Sequence, residues 1–168
     1  FTFAGLAFYL LPRFGGAAQE ALFRELGITI IRLDLRVELY DDQRDDGSLR
    51  TDVLDWAVAS FIRSARDRGV TQYFFSVFSP PLPFKVFSTW RGHAEGGTES
   101  NRLKDSREND YVRYLTDILK YLESEGCGHP VGLSLQNELR SAVDWQGYQK
   151  EKEQYQRVTK KLRKALDT

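Results

Sequence analysis

The sequence predicts an α/β fold, a (β/α) barrel of TIM type in which about four β/α units are present. Apolar, strand-like runs alternate along the chain with segments whose apolar residues recur at helical spacing. Strict alternation of strands and helices predicts a parallel sheet with right-handed crossovers. The chain has 168 residues, enough for one well-buried domain, and we assign residues 1–168 to a single β/α-barrel domain.

Four segments carry the strand signal, namely residues 1–10, 28–40, 71–78 and 131–138. The second, ITIIRLDLRVELY, is the most informative because apolar and charged residues alternate along it. A period of two sends Ile31, Leu33 and Leu35 to one face of the strand and Arg32 and Asp34 to the other. We therefore expect one apolar face, covered by helices, and one charged face.

A helix-like segment follows each strand, at residues 16–26, 50–68, 110–125 and 148–166. The apolar stripe of the first extends to Leu26, and that of the last extends to Leu166. Gly27 and Gly126 follow their helices and predict C-terminal caps. Between the third strand and the third helix, a Pro- and Gly-rich loop contains several aromatic residues, and loops of this length in compact domains are usually functional or disordered.

A small doubly wound sheet is the alternative architecture. Such a sheet normally has a glycine-rich phosphate loop after its first strand, and LPRFGGAAQE offers only a glycine pair without the full spacing. A barrel accounts better for the polar positions, because its interior turns polar near the catalytic rim. The fourth strand fits this pattern with Gly132, Ser134, Gln136 and Glu138 on one face.

Charge and composition exclude several classes of partner and cofactor. Lys plus Arg and Asp plus Glu balance at 24 each, so we expect neither nucleic acid nor an anionic membrane as a partner. No apolar stretch approaches the roughly 20 residues of a transmembrane helix. The single cysteine, Cys127, offers neither a disulfide nor a metal motif, and we expect no metal and no cofactor. The first residues lack the pattern of a signal peptide, so they predict no compartment.

The fourth strand ends on an amide and a carboxylate, Asn137 and Glu138, within LSLQNEL. Side chains at the carboxyl ends of barrel strands form the active sites of such folds. This segment resembles the fourth-strand signature of the clan A glycoside hydrolases, in which an Asn-Glu pair ends the strand. The resemblance implies that Glu138 is a general acid/base.

Two further segments resemble family 30 of that clan, and the resemblance covers nearly the whole chain. FSVFSPPLPFK is similar to the family's third-strand segment, with Lys85 in the position of its lysine. NRLK before a Tyr-rich helix is similar to members acting on β-1,6-linked galactan. In LGITIIRL, Arg32 matches the second-strand arginine that helps to hold the nucleophile. The implied activity is retaining cleavage of a β-linked polysaccharide such as galactan, and a secreted or extracellular protein is favoured.

Retaining cleavage requires one carboxylic acid to protonate the leaving oxygen and a second carboxylate, about 5–5.5 Å away, to attack the anomeric carbon. Glu138 suits the first role, and Asn137 suits a hydrogen bond to the sugar 2-hydroxyl. We assign substrate binding to a set of polar and aromatic residues at the strand ends and in the loops after strands three and four: Asn137, Arg32, Gln136, Trp90 and Trp145.

Each of these residues also has a purely structural interpretation. Asn137 and Glu138 would then only end the strand, with Glu138 paired to Arg140. Arg32 would form an internal ion pair with a carboxylate of its own strand. The two tryptophans would pack against the protein rather than against a sugar.

In the clan, the nucleophile Glu lies at the end of strand seven, and no residue of this sequence matches it. We therefore expect the isolated chain to be inactive. Three explanations are compatible with the sequence: a portion of a complete glycosidase whose C-terminal half supplies the nucleophile, a half-barrel completed by a partner chain, or a non-catalytic carbohydrate-binding half-barrel. In each case the expected ligand is an oligo- or polysaccharide.

Overall fold

The computed structural model describes residues 2–6, 16–36, 39–40, 48–94, 96–97, 99–137 and 152–167. Within these residues four strands form one parallel sheet in the order β1-β2-β3-β4. The strands are β1 (Thr2–Leu6), β2 (Ile28–Leu35), β3 (Gln72–Val77) and β4 (Gly132–Ser134). The predicted α/β class and the parallel sheet are confirmed. The fourth strand is shorter than predicted, since Val131 precedes it and is mostly exposed.

The register of the sheet brings the polar positions into rows. Arg32 of β2 lies between Gly5 of β1 and Phe74 of β3. One step closer to the carboxyl ends, Asp34 pairs with Ser76, which in turn pairs with Ser134 of β4. Partners in a row point to the same side of a sheet. This face therefore carries the charged and small polar side chains.

The opposite face of the sheet is apolar and covered. Ile31, Leu33 and Leu35 of β2 are buried, as are Phe75 and Val77 of β3. They belong to the same core as the apolar residues of the helices. The alternation read from the second strand is thereby confirmed for the residues that the structure describes.

Four helical segments accompany the strands. The first, α1, consists of an α-helical turn at Gly16–Glu20 and a π-helical turn at Ala21–Glu25. The second, α2, runs through Thr51–Leu54, a π-helical turn at Asp55–Ala59, and Ser60–Arg66. The other two are α3 (Glu108–Ser124) and α4 (Lys152–Leu166). None of the helices in the described part of the chain is long and apolar enough to cross a membrane.

Two predicted stripe residues at helix ends are solvent-exposed, so the extent of the stripes was wrong. Leu26 is 64% exposed. Its amide donates to Ala21 O over 3.0 Å, the five-residue step of a π-helical turn, which rotates Leu26 away from the stripe. Leu166, 51% exposed, is the last residue of α4, and the buried positions of that helix end at Leu162.

Helix α4 is attached to α3 by a buried carboxylate as well as by apolar packing. Glu108, at the start of α3, is almost fully buried and accepts hydrogen bonds from Arg157 Nη2 at 2.8 Å and Lys161 Nζ at 2.9 Å. Burial acts to raise the pKa of the Glu108 carboxyl, but the hydrogen bonds from the two cations outweigh it and lower that pKa below its usual value. Val158 and Leu162 supply the apolar contact between the helices.

Candidate functional site

Arg32, in the middle of β2, contacts Asn137, which lies beyond the carboxyl end of β4. Arg32 Nη2 donates a hydrogen bond to Asn137 Oδ1, and the contact spans β3, the strand that lies between β2 and β4. The backbone of Asn137 is itself fixed, because its amide donates to Val77 O, at the end of β3, over 2.9 Å. Two of the predicted substrate-binding residues, Arg32 and Asn137, are thus brought together by three consecutive strands.

The contact fixes the orientation of the Asn137 side chain. A guanidinium group can only donate hydrogen bonds, so the atom of Asn137 that faces Arg32 must be the carbonyl oxygen. The amide nitrogen, Nδ2, then points away from Arg32 with its two donors. The side chain is only partly buried. Asn137 therefore presents hydrogen-bond donors at this end of the sheet, which suits an oxygen of a ligand.

Among the residues that the structure describes, the charged groups beside this contact include Arg36 and the carboxylate of Asp34. Asp34 is buried, and its carboxylate oxygens lie 3.8 Å from Arg32 Nη2 and 3.9 Å from Arg36 Nη2. The ring of Phe78, which follows β3, has its centroid 4.9 Å from the Arg36 guanidinium carbon. The ion pair with Asp34, the structural interpretation of Arg32, is present. It coexists with the shorter contact to Asn137, so the two interpretations are compatible.

Gln136 is buried near the end of β4. Its main-chain carbonyl oxygen accepts a hydrogen bond from Ser134 Oγ at 2.7 Å, just before Asn137 in the chain. Glu138, the predicted general acid/base, and Trp145 lie outside the described residues, and so does Arg140. Within the described part of the chain, no group of three or more His, Cys, Asp or Glu residues is arranged to hold a metal ion.

The long loop after β3, residues 79–104, is called the rim loop below. It folds back on itself, with isolated antiparallel bridges between Lys85 and Leu103 and between His93 and Ser100. Lys85 is completely buried, and its ammonium donates to Ser79 Oγ at 3.0 Å and to Arg91 O at 2.9 Å. Burial lowers the pKa of Lys85 to about 7. The lysine of the family-like segment is thus an internal connection of the loop.

A second buried side chain, Asn101, organises the same loop. Its Oδ1 accepts from Phe87 N at 3.0 Å, and its Nδ2 donates to Thr89 O at 3.1 Å and to Arg91 O at 2.9 Å. No sequence pattern indicates this role. A single asparagine in a Gly- and Pro-rich segment is a common turn residue, and only the pairing of residues far apart in the loop reveals its function.

Trp90 lies between Thr89 and Arg91, whose carbonyl groups accept hydrogen bonds from Asn101; Lys85 also donates to the carbonyl of Arg91. Its side chain is 41% exposed, and the Arg91 guanidinium carbon lies 5.1 Å from the centroid of its ring. This stacking is a cation–π contact. Trp90 is therefore neither a core residue nor a freely rotating surface side chain.

A comparison with solved structures finds proteins of known chemistry with the same fold. A glycoside hydrolase family 30 subfamily 8 xylanase, Xyn30A from Clostridium acetobutylicum, superposes with a TM-score of 0.78 at 25% identity, over 98% of this chain and 39% of that one. The chain has the fold of part of a family 30 glycoside hydrolase.

Two more structures superpose on the chain, and one of them is a second family 30 enzyme. The catalytic domain of GH30 xylanase C from Talaromyces cellulolyticus has a TM-score of 0.73 at 15% identity, covering 98% of this chain and 43% of that one. An endo-β-1,6-glucanase has a TM-score of 0.71 at 15% identity, covering 94% and 39%. The chain thus spans about 40% of the length of these three neighbours. No protein-family model matches the sequence, and no curated protein matches it.

The contact between Arg32 and Asn137 has a measurable effect on stability. We expect Arg32→Met to lower the free energy of unfolding by about 1–3 kcal/mol, because it leaves the oriented Asn137 carbonyl and the buried Asp34 short of a donor. Arg24→Met is the matched control. Arg24 makes an exposed ion pair with Glu20, and its loss should cost under about 0.5 kcal/mol. Urea unfolding midpoints measure both, and equal shifts would contradict a special role for the Arg32 contact.

Proposed function

We propose that these residues form four β/α units of a TIM-type barrel in a retaining glycoside hydrolase. The observation that carries the proposal is the contact between Arg32 and Asn137, because the Arg32 side chain reaches a polar group beyond the carboxyl end of β4, immediately before Glu138 in the sequence. That is the end at which barrel enzymes carry their catalytic groups. The likeness to family 30 structures supports the same reaction class.

In this proposal Glu138 is the general acid/base. As an acid it donates its proton to the glycosidic oxygen, so that the leaving sugar departs as an alcohol. In the second step its carboxylate removes a proton from the water that attacks the anomeric carbon. Asn137 binds the 2-hydroxyl of the sugar. Because Arg32 occupies Asn137 Oδ1, the bond runs from Asn137 Nδ2 to the hydroxyl oxygen.

The reaction also needs a nucleophilic carboxylate, and we assign none to residues 1–168. Arg32 is the group that would hold it. Its side chain is 31% exposed, and its Nε is buried with no hydrogen-bond partner among the described residues. This buried guanidinium donor favours an anion placed beside it. Further strands of the same barrel or a partner chain would supply it.

The proposed substrate is a β-linked polysaccharide such as galactan. The structural neighbours include two family 30 xylanases and an endo-β-1,6-glucanase, and all three names denote enzymes that act on glycans. Trp90 would stack on a sugar ring from the rim loop, and Trp145 and Gln136 would complete substrate binding. A secreted or extracellular location suits a polymeric substrate. No cofactor takes part in this reaction.

The test is hydrolysis by the complete enzyme, that is, the protein in which these residues lie in a closed barrel. It is incubated with β-1,6-galactan, β-1,6-glucan and xylan, and the first-formed anomer is identified by NMR. We expect at least one polymer to be cleaved with the β-configuration retained, whereas residues 1–168 alone release no sugar. An α-anomer formed first would overturn the mechanism. Binding without cleavage would instead indicate a carbohydrate-binding half-barrel.

A further inference from the structure

Two buried side chains converge on one backbone atom of the rim loop. Lys85 Nζ and Asn101 Nδ2 both lie 2.9 Å from the carbonyl oxygen of Arg91. The two residues are fully buried, whereas the tryptophan next to that carbonyl is partly exposed. Two buried donors thus hold the carbonyl group of the residue that follows a partly exposed tryptophan.

Hydrogen bonds from Asn101 and Lys85 hold the backbone on both sides of Trp90, and Lys85 also connects it to the residues that follow β3. Asn101 also donates to Thr89 O, so the residues before and after Trp90 are both held. Lys85 also donates to Ser79 Oγ, two residues beyond the end of β3. The backbone next to Trp90 is therefore connected through Lys85 to Ser79, just beyond the strand that lies between β2 and β4.

Anchoring the loop in this way costs free energy, and the structure of the loop alone does not account for that cost. Burying an ammonium group removes it from water, and desolvation lowers the pKa of Lys85. Ordering a loop also costs conformational entropy at every residue. An exposed aromatic group that is already ordered before a ligand arrives loses less entropy on binding. The anchors therefore favour a ligand that contacts Trp90.

We propose that Lys85 and Asn101 are positioning residues that fix the Trp90 indole as a pre-formed stacking platform for a sugar ring of the substrate. This inference rests on the proposed function. The Arg91 guanidinium, stacked against the indole, restrains the ring further. Lys85 and Asn101 themselves do not contact the substrate; they act through Trp90.

The inference predicts how the effects of two substitutions combine. In the complete enzyme, Trp90→Ala and Asn101→Ala should each raise the KM for β-1,6-galactan by up to about tenfold, since about 0.5–1.5 kcal/mol is at stake for one ordered side chain. The kcat should change little. Asn101→Ala added to Trp90→Ala should raise the KM no further. Two effects that multiply would overturn the inference.

A second measurement does not depend on catalysis. Hydrogen exchange of the backbone amides of Phe87 and Arg91 should be faster in Asn101→Ala and in Lys85→Met than in the parent protein. Thr116→Ala is the matched control, because Thr116 is a buried polar residue of α3 that donates to Arg113 O at 2.8 Å. It should leave exchange in the rim loop unchanged.

The two measurements separate failure of the inference from failure of the proposed function. If no polymer is cleaved but exchange in the rim loop responds to Asn101→Ala, the affinity for a β-1,6-linked galacto-oligosaccharide replaces the KM in the same comparison. Unchanged exchange in both anchor variants would overturn the positioning role, whatever the activity. The same effect of Asn101→Ala on affinity with and without Trp90 would also overturn it.

Discussion

Replacing Glu138 with glutamine is expected to slow hydrolysis of an unactivated β-glycoside by about 10²–10⁴-fold in the complete enzyme. Glutamine has no proton to give, so the sugar must leave as an alkoxide. An aryl glycoside with an acidic phenol needs no proton to leave, and its first step should be nearly as fast as in the parent enzyme. The variant should therefore release a burst of one phenol per active site and then turn over slowly. Stopped-flow absorbance measures the burst.

Azide distinguishes a general acid/base from other roles of Glu138. The anion needs no base to attack the glycosyl-enzyme, so it should restore turnover of the aryl glycoside and yield a β-glycosyl azide. Glu123→Gln is the control, since Glu123 is exposed beside His129 and should not affect the rate. Equal losses with both leaving groups, without azide rescue, would mean that Glu138 only ends the strand and pairs with Arg140.

Replacing Glu108 with glutamine is expected to lower the free energy of unfolding by about 2–4 kcal/mol at neutral pH. The Glu108 side chain is only 3% exposed, and it accepts from Arg157 and Lys161. The amide group would turn a donor toward one of these cations. Because Arg157 and Lys161 are partly exposed, water relieves part of the loss, and we expect the lower end of the range. Urea unfolding of parent and variant measures the difference.

The effect of Glu108→Gln should depend on pH in a defined direction. The pKa of the Glu108 carboxyl is lowered in the folded protein, so its contribution is fully present above the unfolded value of about 4.3. It is lost as the pH falls below that value, through the folded pKa. Asp110→Asn is the control on the same helix. Asp110 pairs with Arg107 and Arg113 near the surface, and its loss should cost under about 1 kcal/mol. Equal shifts for both variants would contradict the buried-carboxylate account.

The two faces of the sheet could be predicted because they depend on a local pattern. Alternation in the second strand placed Leu33 in the core and Arg32 and Asp34 on the polar face, and the register of three strands confirms this. The proximity of Arg32 and Asn137 also follows from topology, since parallel strands end at the same edge. What the pattern cannot supply is the hydrogen bond itself, which depends on side-chain conformation.

The ordered conformation of the rim loop could not be predicted from the sequence. Lys85 and Asn101 are 16 residues apart in sequence (101 minus 85), and both are of types that are normally exposed. Their burial results from the loop folding back through two isolated bridges, for which no periodic signal exists. Glu108 was missed for a similar reason. A glutamate in the first turn of a helix suits the helix dipole wherever it points, so its burial under α4 is not implied.

The three-residue length of β4 has a consequence for any strand that joins the sheet beside it. Gly132–Ser134 has β3 on one side, and among the described residues no strand pairs with its other side. An added parallel strand would have its carboxyl end at the same end of the sheet as Asn137. Three residues offer few backbone hydrogen-bonding groups, so an added strand must gain most of its stabilising contacts from its own helix and side chains. The position of that strand beside Asn137 would then be determined by side-chain packing rather than by main-chain hydrogen bonds.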